Sequence, residues 1–259
     1  MPIVGVVVTF PDWDSGSRVE PRSVSITTVY DNYAVEEELV TAWGHASAVS
    51  TPAEAVLFDT GGDGRVLLAN MRTTGLDPVD IDRVVISHGH GDHLGGLDAF
   101  LSVNPNVVVY TLPSFSDAVR RSITSKGTKY RDIERPTGLD SWLFTTGPMH
   151  GPPSEQALVV ATNEGLAVMT GCAHPGILSI VQRVINLFPD QTIALVMGGF
   201  HLMSASEAEI GRIVQTFQRH GVKRVAPSHC SGDAARTRFH AAYGDDYIAG
   251  GAGRTILLG

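Results

Sequence analysis

Residues 87 to 96 read Ser-His-Gly-His-Gly-Asp-His-Leu-Gly-Gly, directly after the apolar run Val84-Val85-Ile86 and just before a helix-like stretch. Three imidazoles and a carboxylate within six residues cannot all lie on one face of a strand or a helix. A turn broken by Gly89 and Gly91 can fan them inward from a strand end, because glycine adopts backbone angles closed to other residues. The segment therefore predicts strand, turn and helix, with His88, His90, Asp92 and His93 converging. Neutral imidazole and carboxylate together suit Zn, Fe or Mn. The plain alternative is a solvated polar loop, which does not account for this density of ligands.

The rest of the chain supplies a body for such a site. It has 259 residues, of which 43% are hydrophobic, enough for a sizeable core and too apolar for a disordered chain. A net charge of -8 excludes a general nucleic-acid coat or a basic membrane-surface protein. No apolar run approaches the roughly 18 residues that a membrane span needs. Ile3 to Phe10 is apolar without a preceding Lys or Arg, and reads as an early strand or loose leader, not a signal peptide. Cys172 and Cys230 each sit beside a histidine (Cys172-Ala-His174 and His229-Cys230), so reduced thiols near a metal are expected and not a disulfide. The expected setting is the cytoplasm.

Short Val- and Ile-rich runs bounded by Gly, Pro, Asp or Asn predict strands at 24–29, 55–58, 83–87, 107–110, 157–161, 166–170, 193–197, 223–226 and 255–258. Asn163-Glu164-Gly165 between the fifth and sixth of these predicts a hairpin. Ile177, Ile180, Val181, Val184 and Ile185 are spaced for one helix face, ending before Pro189. Ser204 with Glu207 predicts a capping box ahead of Ile210, Ile213, Val214 and Phe217. Weaker helical patterns cover 65–74, 94–101 and 115–123. Hairpins mixed with strand–helix units predict an α/β (α+β) chain of two mixed sheets covered by helices. We expect one domain over 1–259, with 1–22 a leader and the basic stretch 120–135 a long loop or lid.

The pattern His88-x-His90-x-Asp92-His93 followed by Leu-Gly-Gly resembles the signature of the metallo-β-lactamase superfamily. That resemblance implies a four-layer αββα sandwich with the site at one edge of the sheets. Leu57-Phe58-Asp59-Thr60-Gly61 resembles the family's strand-end Asp-Thr-Gly that buttresses the site. The segments at 170–176, 198–202 and 228–232, together with Asp31-Asn32 and Trp43-Gly44, resemble one bacterial and archaeal branch. A dihydropterin–ribofuranosylaminobenzene-phosphate synthase typifies that branch. By this resemblance His88, His90 and His174 hold one metal, and Asp92, His93 and His229 hold a second. His201 contacts substrate or donates a proton. Two departures stand out: Cys172 occupies the place of the usual bridging Asp, and His150 competes with His174 as the third ligand of the first metal. Glu155-Gln156 fits the branch without a derivable role.

Paired divalent ions, zinc foremost with Fe or Mn as alternatives, imply a hydrolase that attacks an ester, lactone or phosphoester with a metal-activated hydroxide. Asp92 would orient that hydroxide or pass its proton. Arg120 and Arg121 suggest a small anionic substrate, with neither nucleic acid nor membrane as partner. The alternatives are a synthase joining a pterin alcohol pyrophosphate to an aryl amine phosphate, and a non-catalytic metal-binding sensor. Oligomeric state is not legible in the sequence.

Overall fold

In the computed structural model, residues 19–259 are described. The reading of Ile3 to Phe10 lies outside them. Residues 19–22, counted above with the leader, are docked on the body: Glu20 N donates to Ser141 O, Arg22 N donates to Ala161 O, and Val19 is buried.

The chain begins with an antiparallel meander, β1 (Val24–Tyr30), β2 (Ala46–Ser50) and β3 (Ala55–Phe58). Helix α1 (Gly64–Thr73) leads to β4 (Arg83–Val85); α2 (Gly91–Leu94) and α3 (Leu97–Val103) lead to β5 (Val108–Thr111); α4 (Asp117–Ser125) leads to β6 (Lys129–Asp132). β4, β5 and β6 add to β3 in parallel. A second sheet starts with β7 (Thr137–Gly138), β8 (Leu143–Thr145), β9 (Leu158–Thr162) and β10 (Gly165–Thr170), all antiparallel. Helix α5 (Ile177–Leu187) then crosses to β11 (Ile193–Gly199), and α6 (Glu207–Arg219) to β12 (Arg224–Ser228), both strands parallel to β10. After α7 (Asp233–Tyr243), β13 (Thr255–Leu258) returns to the first sheet beside β1. The orders are β13-β1-β2-β3-β4-β5-β6 and β12-β11-β10-β9-β8-β7.

Strand alternation decides how the layers pack, because successive side chains leave a strand on opposite faces. Leu158, Val160, Ala167, Met169, Leu195 and Met197 join one buried cluster with first-sheet residues such as Ile26 and Val84. Their neighbours Val159, Val168 and Val196 join another, with Ile180, Val181 and Val184 of α5 and Ile213 and Phe217 of α6. The two sheets thus face each other between helical layers, as the αββα expectation requires. No helix among the described residues is long and apolar enough to cross a membrane.

Two local expectations are corrected. The stretch 120–135 is no loop. Ser116 caps α4 by accepting from Val119 N, Ile123 anchors that helix in the core, and Lys129 to Asp132 pair with β5. Its charges fit an edge strand, where Lys and Arg discourage pairing with another chain. The cap of α6 is Ser206, which accepts from Glu209 N, so the capping signature lies two residues beyond Ser204 and Glu207.

Candidate metal centre

Five strand ends deliver the site. Asp59 follows β3, the His88–His93 turn follows β4, and Cys172, His201 and His229 follow β10, β11 and β12. These are carboxyl ends of mutually parallel strands within each sheet, the usual location of ligands in such sheets. Asp59, Ala173, His201 and His229 have φ of 60°, 61°, 55° and 47°, and no other non-glycine among the described residues has a positive φ. Backbone held in this region persists where surrounding structure enforces it, and such residues cluster at functional sites.

The imidazoles are oriented by acceptors behind them. His93 Nδ1 lies 2.8 Å from Asp59 Oδ2, so it carries the proton, since a carboxylate only accepts. Ser87 Oγ donates to Asp59 Oδ2 at 2.7 Å and therefore accepts from His88 Nδ1 at 2.9 Å. His229 Nδ1 donates to Asn32 Oδ1 at 2.9 Å, while Asn32 Nδ2 donates back to His229 O at 3.4 Å. Asp31, fully buried, accepts from His229 N and holds His45 through its Nδ1, 3.2 Å away. His45 is thus a structural histidine. With Nδ1 of His88, His93 and His229 engaged this way, Nε2 of these rings is the nitrogen left to face a cation. The Nε2 atoms of His88, His174 and His229 are buried without a hydrogen-bond partner. Buried polar atoms are seldom left so. Imidazole tautomers fixed by partners on the far nitrogen are how proteins prepare histidine for a cation.

The loop after β10 is held by a residue whose role the sequence did not disclose. Glu155, fully buried, accepts from Gly171 N, Cys172 N and Ala173 N through Oε1 at 3.1, 3.0 and 2.9 Å, and from His174 N through Oε2 at 2.8 Å. One carboxylate thus fixes the backbone that carries both Cys172 and His174. Gln156 ties the two sheets: its Nε2 donates to Ile86 O and its Oε1 accepts from Thr145 Oγ1. Gly171 must lack a side chain, because a Cβ there would overlap Ser87 Oγ and stand 2.9 Å from Asp59 Oδ2.

Three ligand sets result, with the donor atoms in each lying within 4.8 Å of one another: Asp92, His93, Cys172 and His229; His88, Cys172 and His174; and Cys172, His201 and Cys230. Cys172 is common to all three, and its Sγ lies 3.2 Å from His93 Nε2. His90, exposed, places its ring 4.7 Å from that of His88 and 4.8 Å from that of His174, so it borders the second set. The site residues read from sequence are therefore brought together. His150 is not; it is exposed and joins none of these sets. The donor chemistry of nitrogen, oxygen and one thiol fits divalent cations.

Electrostatics agree with neutral imidazoles at His88, His93 and His174; at His229 burial acts in the same sense, but the adjacent Asp92 carboxylate, with Cys230 and Asp31, outweighs it and raises the pKa. Burial holds His88 and His93 well below the ordinary histidine range, and burial with neighbouring His201 and His90 lowers His174 to about 4. Burial opposes ionisation of Asp92, yet the adjacent His229 and His93 imidazoles hold its carboxyl below the usual range. Asp92 Oδ2 stands 3.4 Å from His229 Nε2 and 3.7 Å from His93 Nε2.

Arg120 does not lie free for a substrate. Its guanidinium pairs with Asp132 at 3.0 Å and donates to the carbonyls of Phe115, Pro113 and Leu112. It braces the 112–115 loop, and Phe115 lies 3.9 Å from where a Cβ on Gly89 would sit.

With that geometry established, comparison with known proteins decides the family. A family model described as the Metallo-beta-lactamase superfamily matches residues 44–176, just over half of the chain. The chain belongs to the metallo-beta-lactamase superfamily. It is 27% identical over 245 residues to 7,8-dihydropterin-6-methyl-4-(beta-D-ribofuranosyl)-aminobenzene-5'-phosphate synthase of Methanocaldococcus jannaschii, covering 78% of this chain and 83% of that protein. A crystal structure described as a metal-dependent hydrolase of the beta-lactamase superfamily superposes with a TM-score of 0.77 and 29% identity, over 90% of this chain and 98% of the other. Human tRNase Z, short form, has the same fold at a TM-score of 0.62 and 15% identity, over 91% of this chain and 99% of the other. The resemblance carried by the motifs, including that to the synthase branch, is borne out.

Proposed function

We propose that this superfamily member is a metal-dependent hydrolase that acts in the cytoplasm on a small molecule bearing an ester, lactone or phosphoester bond. The observation that carries the reading is the set of buried Nε2 atoms on His88, His174 and His229 that no hydrogen bond satisfies, gathered at the sheet edge. In this reading His88, His90 and His174 hold one divalent cation. Asp92, His93 and His229 hold a second, with Cys172 lying between the two and tilting the choice towards zinc. Such ions, when bound, acidify water and polarise the bond under attack. The chain's own residues do the rest. Asp59 and Ser87 fix the ring planes of His93 and His88, and Asn32 fixes that of His229. Asp92, half-buried at the mouth, accepts the proton of the attacking water. His201 at the rim has its pKa raised by its hydrogen bond with Cys230, burial acting against it, and serves as the proton donor to the leaving group.

The test is elemental analysis of purified protein, joined to a panel of phosphodiester, phosphomonoester, carboxylic ester and lactone substrates. Turnover that chelator abolishes, that added Zn, Mn or Fe restores, and that His88→Ala removes supports the reading. A fully loaded protein that turns over nothing refutes it and leaves a cation-holding module. Likeness to the archaeal synthase favours one second reading, condensation of a pterin alcohol pyrophosphate with an aryl amine phosphate. Product analysis with both partners present separates it: a joined product without net hydrolysis means the synthase.

A further inference from the structure

The third ligand set shares Cys172 and His201 with the mechanism above, but as a cation-holding set it has no part in it. The sulfurs of Cys172 and Cys230 and a ring nitrogen of His201 lie within 4.8 Å of one another, and neither carboxylate nor hydroxyl belongs to the set. Both thiols are buried and free, and Cys230 Sγ is 3.5 Å from Cys172 O. His201 is exposed and gives the set an entrance from solvent. The packing that makes room is specific: a Cβ on Gly199 would stand 2.7 Å from Cys230 Sγ and 3.2 Å from Cys172 Cα. All three ligands sit on or beside enforced left-handed backbone: His201 itself, Cys172 directly before Ala173, and Cys230 directly after His229.

We propose that Cys172, Cys230 and His201 form a third, overlapping thiol-rich subsite for a soft or borderline cation such as Cd2+ or Zn2+. Two sulfurs and one imidazole select such ions over Mg, Ca or Mn, and three protein ligands of a tetrahedral ion leave one position towards solvent. The consequence for turnover, which rests on the hydrolase reading, is inhibition by excess soft cation. Filling the subsite draws on Cys172, the sulfur shared with the other sets, and removes His201 as a proton donor.

The experiment uses full-length protein, reduced and stripped of metal, titrated with Cd2+ alone. Bound equivalents are counted after desalting, and thiolate-to-metal charge-transfer absorption is followed. Relative to wild type, Cys230→Ser should lose one equivalent and about half of the charge-transfer absorbance, as one of two thiolate ligands is gone. His201→Gln, at an exposed position, should weaken that same equivalent by about tenfold, with far-UV circular dichroism and the urea midpoint checking that the variant folds. Equal stoichiometry and absorbance in wild type, Cys230→Ser and His201→Gln overturns the proposal, as does a Cys172–Cys230 disulfide that persists under reductant. Failure of the hydrolase reading looks different: the loaded wild type then turns over no substrate of the panel, while Cys230→Ser still loses its Cd2+ equivalent.

Discussion

Glu155 offers the sharpest test of how the centre is built. Its carboxylate accepts four backbone N–H groups in a place no solvent reaches. A buried donor left without its partner costs about 1–3 kcal/mol. Glu155→Ala orphans all four, and even with water entering the vacated space the loss should be about 4 kcal/mol or more. Glu155→Gln keeps the shape. Its carbonyl can serve Gly171, Cys172 and Ala173, but its amide then faces His174 N–H donor to donor, which should cost about 2 kcal/mol. Because the displaced peptide carries Cys172 and His174, the same variant should bind a divalent cation about 10–100-fold more weakly, as loss of an outer partner typically does. Urea unfolding of the metal-free proteins measures the first quantity, and competition with a chromophoric chelator measures the second. If Glu155→Gln unfolds within about 0.5 kcal/mol of wild type and binds cation equally well, the reasoning is wrong. If only stability falls, the carboxylate supports the fold and does not position the ligands.

Three further outcomes are expected. Asp59→Asn deprives His93 Nδ1 and Ser87 of an anionic acceptor and should weaken cation affinity about 10–100-fold in the same competition assay. Gly171→Ala, whose methyl would overlap Ser87 Oγ, should lower unfolding stability by about 1–3 kcal/mol; urea midpoints equal to wild type would contradict the close approach. The third concerns pH: in the native metal-free protein His174 titrates at about 4, with His88 and His93 also lowered, against an ordinary value of 6.5. These imidazoles alone make stability fall as pH drops from 6.5 to about 4, because the unfolded chain takes up protons there that the native rings refuse; the buried carboxyls of Asp59 and Glu155, raised to about 7 by burial, act in the opposite sense over the same window. The imidazole share is therefore read as a difference: His174→Gln should lose less stability than wild type between pH 6.5 and 4, and identical pH dependence of the two urea midpoints would refute it.

What the sequence disclosed, and what it hid, follows from range. Runs such as Val84-Val85-Ile86 and Ile193 to Met197 announce strands because full burial leaves no polar position in them. The His88–His93 turn announces a ligand set because its chemistry is contiguous. β2, with the sequence Ala-Ser-Ala-Val-Ser, carries too few bulky apolar residues to stand out, although four of its five residues are buried. β6, Lys-Tyr-Arg-Asp, is an edge strand and reads as a loop by its charges. Helix α7 buries only Ala235 and Phe239, so its apolar face is too thin to show a period. Glu155 was invisible as a brace because its partners lie 16–19 residues away, across a hairpin whose register the sequence does not specify. His174 lies in a ligand set and the exposed His150 does not for the same reason: β10 and Glu155 place His174, and nothing local does.

The delivery of the centre by five strand ends sets an order in time as well as in space. A chain emerging from the ribosome carries His88, His90, Asp92 and His93 early, but Cys172 and His174 come some eighty residues later and His229 later still. The nascent protein cannot close either set around an ion until most of it has been made. If the centre takes a cation as proposed, capture follows nearly finished folding, and a truncated product lacks a complete ligand set.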